Sequence, residues 1–254
     1  MQQGWKIFLH SLRMVFGNFG AALRVSLVPY LMQVAVSFYV FMKFRTVFQM
    51  IQAGMTPQMP PGFIGLSLLS AAVTLITSLW IAVAWHRFVL LEEEPGAIMP
   101  KFHAAEMARY FGISLLISLI MLVIGFAAMI VMMILMSIAG PSPFMMLIGT
   151  FVVIIPLVYV FYRLSPALPA AAIGRRLSLG EAWNATAPAG SAIFTIAILG
   201  AVAGIILQLP SVLDANPGSI INLVYGQVTG WIVMMVGISV LTTIYGVYVE
   251  GREI

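Results

Sequence analysis

The sequence predicts an all-α integral membrane protein of about six transmembrane helices. They form three hairpins, each preceded by a short amphipathic interfacial helix, with both termini in the cytoplasm. Three observations predict this. Hydrophobic residues fill 62% of 254 positions and charged residues only 8%, far from the roughly 25% charged content of soluble domains. Six stretches are apolar over about the 20 residues that a crossing helix needs at a rise of about 1.5 Å per residue. The basic residues gather on one side of those stretches.

In chain order, Trp5, Phe8, Leu12, Val15 and Phe19 fall at helical spacing, with Lys6, His10 and Arg13 on another face. A span follows near 21–42, expected to be retained because no A-x-A-like cleavage site precedes it. After the break TPQMPPG, the second span lies near 63–86 and ends before EEEPG. A second amphipathic stretch sets Ala104, Met107, Ala108 and Phe111 opposite His103, Glu106 and Arg109. Spans three and four, near 112–137 and 144–163, are separated by AGPSP, and a long polar stretch follows over 166–190. Within it SLGE predicts a capping box, Ser178 capping and Glu181 reaching back, with Leu179, Ala182 and Trp183 on one face. Spans five and six lie near 191–212 and 220–248 on either side of DANPG. Pro29 and Pro156 are expected to kink their helices without ending them.

With the N-terminus inside, the cytoplasmic segments hold Lys6, Arg13, Arg24, Arg87, Lys101, Arg109, Arg163, Arg175, Arg176 and Arg252. Only Lys43 and Arg45 fall outside. The positive-inside rule therefore predicts N-in and C-in. The hairpins return through AWHRF, VFYRL and YGVYVEGR, which suggests repeat units 4–92, 100–165 and 178–250 within a single membrane domain 1–254. The competing reading is that any headgroup layer selects aromatics and arginine.

The run YRLSPALPAAAIGRRLSLGEAWNATAPAG joins an Arg-containing span end, a Pro-rich link and a capped helix with an Ala-Trp pair. It resembles the YciC-like bacterial inner-membrane proteins and the related membrane domains found beside glycerophosphodiester phosphodiesterases. The resemblance implies a polytopic helical fold in a bacterial inner membrane and carries over no catalytic residues.

Composition excludes several chemistries. There is no cysteine, hence no disulfide or thiolate metal site. The formal charge of +4 is too small an excess for a nucleic-acid footprint and suits anionic headgroups. Three histidines, His10, His86 and His103, are too few for a histidine-rich di-iron centre. A smaller zinc or iron site from His86, His103 and Glu106 competes with a plain wetted helix face. The positions four after Glu93 and Glu94 are Ala97 and Ile98, so the glutamate–arginine spacing of intramembrane CAAX-type proteases fails. No G-x-S-x-G elbow or phosphate-cradling loop occurs. The sequence therefore predicts no catalytic, cofactor or metal residues. NAT at 184–186 matches a glycosylation sequon but falls on the cytoplasmic side.

Three groups remain as candidates. Glu92, Glu93 and Glu94, with Arg87 and Lys101, form a candidate docking patch. If span two runs on as helix to Leu91, the three acids sit at the negative end of its dipole and need neutralising. Lys101, the start of the next helix, Arg175 and Arg176 are the candidates within the chain. His86 and Arg87 are then expected at the exit of span two, and Pro100 in the first turn of the next helix. Gly200 and Gly204, a G-x-x-x-G pair, together with Gly230 and Gly237, are candidates for helix packing. Thr74, Ser78, Asn222 and Gln227 are candidates for a polar path, the rival reading being interhelical bonds. The expected function is a non-enzymatic inner-membrane accessory or scaffold protein organising lipid or a larger complex. The alternative is a permease or flippase-like carrier for a neutral or lipidic solute. Expected partners are membrane lipids and other membrane proteins or a second copy, not nucleic acid.

Overall fold

The computed structural model describes residues 2–140, 142–213 and 220–254, without the side chains at 52, 139, 143–152, 212 and 213. The described residues form helices and no strand. They are α1 (Gln2–Gly17), α2 (Phe19–Lys43), α3 (Arg45–Gln52), α4 (Phe63–Leu91), α5 (Ala104–Ala139), α6 (Pro143–Leu164), α7 (Ala167–Ala172), α8 (Leu179–Ala185), α9 (Gly190–Leu213) and α10 (Ile220–Tyr248). Among the described residues six segments are long and apolar enough to cross a membrane: Phe19–Lys43, Phe63–Leu91, Ala104–Ile138, Val153–Ala172, Ala187–Ser211 and Ile220–Tyr248. They follow the six stretches read from the sequence. The DANPG break and Pro141 of AGPSP lie outside the described residues.

Pro29 in α2 and Pro156 in α6 sit inside continuous helices, as does Pro210 in α9. A proline loses one backbone bond, which neighbouring helices and side chains offset in a membrane. The short α3 was not foreseen. Its Val47 joins Val40 and Phe44 in a buried cluster, with Phe48, Phe63 and Leu66 packed against it, and Phe44 and Phe63 meet edge to face at 5.1 Å.

The chain divides into two compact units. Unit 1 comprises Met1–Leu12, Ala104–Ala201 and Val240–Ile254. In it α5 packs on α6 and α7, and α6 on α8. Ser11 bonds Thr243 between hydroxyls at 3.0 Å. Gly4 lets α1 meet α9 backbone to backbone: a Cβ there would lie 2.5 Å from the Ala192 carbonyl oxygen and 2.7 Å from Thr195 Cβ.

Unit 2 comprises Arg13–His103 and Val202–Ser239, with α2 running along α4. Polar groups tie its helices together. Trp231 donates to Ser26 Oγ at 2.8 Å, Tyr30 to the Gln227 carbonyl at 2.6 Å, and Trp85 to Ser239 Oγ at 2.8 Å. Such interhelical bonds are worth roughly 0.6 kcal/mol each in membrane proteins.

Burial differs from the stripes read in the sequence. In α1 the buried line is Gly4, Ile7, Ser11 and Val15, while Trp5 and Phe19 are about half exposed. Gly4 and Ser11 allow close approach on the buried side, where Ile7 and Val15 pack, and Trp5 is left for the surroundings. The second amphipathic stretch is continuous with its span in α5. There Met107, Tyr110 and Ile117 are buried, and Ala104, Ala108 and Phe111 are exposed. The third is a separate helix, α8, and its capping box is formed: Ser178 N–H donates to Glu181 Oε2 at 2.7 Å and Glu181 N–H to Ser178 Oγ at 3.2 Å.

The stretch 166–190 is not uniformly wet. Residues 163–173 are buried without a break, since alanine and proline fit where neighbours come close. Residues 80–86 and 238–246 are likewise buried on every face of their helices. These three runs include or adjoin the return motifs AWHRF, VFYRL and YGVYVEGR. The opposite ends of the long helices expose large apolar side chains, as in α5 from Leu119 to Ile138.

Candidate functional site

The acidic crossover begins where α4 ends. The helix passes His86 and Arg87 and continues to Leu91, so these two residues stand a turn or more inside it rather than at its exit. His86 is fully buried. Glu92 adopts the left-handed conformation, φ 54° and ψ 29°, the sole positive φ outside glycine among the described residues. That conformation costs an L-residue about 1–2 kcal/mol. Here it brings the N–H groups of Glu92 and Glu93 back to the Arg87 carbonyl, a helix C-terminal closure in which glycine is the usual residue.

The reversal folds Glu93 onto the helix it has just left. Arg87 Nε donates to Glu93 Oε2 at 2.7 Å. His103 Nε2 donates to Oε1 at 3.0 Å, and Lys101 Nζ lies 3.3 Å from the same oxygen. Trp80 fixes the returning chain by donating to the Lys101 carbonyl at 3.1 Å and meeting the Phe102 ring edge to face at 5.2 Å. Gly96 makes the intervening turn possible, because a Cβ there would collide with the Met99 carbonyl oxygen. Pro100 is buried in this loop and α5 starts at Ala104. The proline therefore does not occupy a first helical turn.

The Glu93 side chain is 18% exposed. Desolvation pushes its pKa up, but hydrogen bonds from Arg87, His103 and Lys101, with the Arg87 charge, outweigh it and hold the carboxyl below its ordinary value. The adjoining cavity, of about 10 Å³, barely reaches the volume of one water. Glu93 is thus an ionised anion engaged by Arg87, Lys101 and His103. Glu92 and Glu94 point to the exposed side.

Of the neutralising groups foreseen, Lys101 is at Glu93, whereas Arg175 donates to Glu250 in unit 1 at 2.8 Å. Arg87 and His103 supply the rest. His103 Nε2 is spent on Glu93, and Glu106 stands in unit 1 beside Gly174. No group of three His, Cys, Asp or Glu that could hold a metal occurs among the described residues.

The other candidates fall in separate places. A Cβ on Gly230 would lie 3.2 Å from the Tyr30 hydroxyl, a tight approach, and one on Gly200 would make ordinary contact with the Tyr162 hydroxyl at 3.9 Å. Gly204 and Gly237 face open space. Ser78 reaches Gln33 Oε1 at 3.5 Å, where Thr77 also donates at 2.9 Å, and the Thr74 carbonyl accepts from Thr77 at 3.2 Å. Gln227 accepts at its carbonyl from Tyr30. Asn222 is half-buried.

Sequence reasoning missed Arg163. Arg163 is 7% exposed, and its guanidinium donates to Thr186 Oγ1 at 2.9 Å, the Tyr159 hydroxyl at 3.1 Å and the Trp183 carbonyl at 2.6 Å. It lies 4.1 Å from the Trp183 ring centre. The clue was present in the arginine and the Ala-Trp pair of the 162–190 run, which this contact joins. Thr186 returns a bond to the Arg163 carbonyl at 3.0 Å. No family model, curated protein or solved structure matches the chain.

Proposed function

We propose that the chain is a non-enzymatic accessory or scaffold subunit of a bacterial cytoplasmic membrane, where it organises lipid or a larger membrane complex. The observation that carries this reading is the unequal burial of the spans. The most apolar candidate span, in α5, has 6% of its window buried, against 61% for α10. Its exposed side chains, among them Leu122, Phe126 and Met133, form a surface for membrane components. The engaged state of Glu93 supports a structural acid in place of a catalytic one. The layout shared with YciC-like proteins supports the bacterial inner membrane as location.

Extraction from native membranes in a copolymer disc, followed by mass spectrometry of everything retained, tests the reading. A stoichiometric membrane-protein partner or a defined oligomer is expected. A lone chain in every preparation would contradict it. Carriage of a lipidic solute is the second reading, favoured by a cavity of about 430 Å³ at α5. Reconstituted protein that moves labelled lipid between leaflets would replace the scaffold reading with this one.

A further inference from the structure

Two features of unit 1 share the helices α5 and α7. The first is the cavity of about 430 Å³, lined by Ser114, Ser118 and Leu122 of α5, Leu157 and Phe161 of α6, and Leu168 of α7. Its volume and its mostly apolar walls suit a hydrocarbon chain. The second is a group of arginines towards the basic end of the same helices. Gly174, six residues beyond Leu168 and about 9 Å away at helical rise, turns with φ 77°. A Cβ there would lie 3.8 Å from Arg109 Nη1 and 4.0 Å from Glu106 Oε1. Arg175 and Arg176 follow directly, and Glu250 brings Arg252 to the same place by bonding Arg175 at 2.8 Å and Arg252 at 2.7 Å.

Arg109, Arg175, Arg176 and Arg252, from three chain segments, thus gather about the Gly174 turn with Glu106, Glu250 and Glu253, four positive charges against three negative. Arg109 and Arg176 are exposed, and among the described residues no carboxylate lies within ion-pair distance of either. A guanidinium fork matches two oxygens of a phosphate, and basic pockets beside transmembrane helices suit anionic headgroups.

We propose that this face of unit 1 binds one anionic phospholipid, its phosphate on Arg109 and Arg176 and one acyl chain in the cavity between α5, α6 and α7. The proposal deepens the lipid-organising side of the function above and rests on it. The neutral walls of the cavity take the tail of any lipid, and the arginines supply the selection for a negative headgroup. Arg175 is tied to Glu250 and serves to hold the C-terminal segment against the site.

Native mass spectrometry of the purified full chain, titrated with phosphatidylglycerol or phosphatidylcholine, tests this. Wild-type protein is expected to retain phosphatidylglycerol preferentially. R109Q/R176Q should lower that affinity about thirtyfold, at about 1 kcal/mol per basic residue near an anionic headgroup, and abolish the preference. Ser118→Trp, or Leu122→Trp as a second variant, fills the cavity and should reduce retention of both lipids while leaving the preference in what remains. All four positions are exposed, and unchanged melting temperatures confirm folding. Wild-type retention of phosphatidylglycerol by the arginine variant, or by both cavity variants, would overturn the proposal. So would displacement of the lipid by millimolar inorganic phosphate, which would mark a site for a soluble anion. Partner recovery from native membranes is read separately, so loss of the lipid site with the partner still present leaves the scaffold reading intact.

Discussion

At the scale of single residues, the crossover depends on one carboxylate, and the contact of α1 with α9 on one glycine. Glu93→Gln removes the charge that Arg87, His103 and Lys101 share and leaves Arg87 half-buried beside an amide. A loss of about 1–3 kcal/mol in unfolding stability is expected, the range for a charge-assisted hydrogen bond, read by thermal unfolding in detergent. The pH dependence has a definite sign. Because the folded-state pKa of Glu93 lies below its ordinary value, its contribution is complete above about pH 4.3 and is lost as pH falls through the folded value. Wild-type protein should therefore lose stability on acidification below that range more steeply than Glu93→Gln. Gly4→Ala puts a methyl group 2.5 Å from the Ala192 carbonyl oxygen and should cost about 1–3 kcal/mol, whereas Gly204→Ala, in open space, should be neutral in the same measurement. The sequence showed that three acids followed a span and needed neutralising, and it showed Lys101 as one source. It did not show Arg87 or His103 as the others, because the left-handed Glu92 that folds the chain back is not a position where glutamate is expected. Gly4 was equally hidden: a lone glycine near the start of a helix has no pair to announce close packing.

At the scale of elements, hydropathy located the spans well because each backbone segment in hydrocarbon must satisfy its own hydrogen bonds and run apolar for a fixed length. The faces of those helices were less legible. In a membrane the large apolar residues of α1 and α5 need not face protein, so a stripe that would mark the core of a soluble helix is divided here, Val15 and Met107 buried and Trp5 and Phe111 exposed. Runs 80–86, 163–173 and 238–246 are buried all round, which leaves no periodicity to read. The capping box of α8 was legible because four consecutive residues carry its whole mechanism. What holds α8 to α6 is Arg163, through the Trp183 ring, the Trp183 carbonyl and Thr186. Arg163→Lys keeps the charge but not the planar fork that serves these partners together. It should destabilise unit 1 by about 1–3 kcal/mol, seen as loss of protection of α8 amides in hydrogen exchange, with α4 unchanged.

At the scale of the whole molecule, a helical membrane protein follows from composition and from six apolar segments that recur in the structure as six candidate spans. The side on which the termini lie is an expectation from the distribution of lysine and arginine, which puts ten of the twelve inside if the N-terminus is inside. The chain has no cysteine, so single substitutions report it cleanly. A cysteine at Gln49 should react with an impermeant maleimide added to intact cells, and one at Asn184 only after lysis; the reverse pattern would invert the topology. Function is less legible than fold, because the exposed apolar surface names no partner by itself. The scaffold reading is tested most directly on that surface. A photoreactive amino acid at Phe126 or Met133 of α5, both exposed, irradiated in native membranes, should give a discrete cross-linked band containing a second membrane protein or a second copy of the chain. Recovery of the uncross-linked monomer alone at both positions, in membranes where the same residue at a known protein interface cross-links efficiently, would contradict the account.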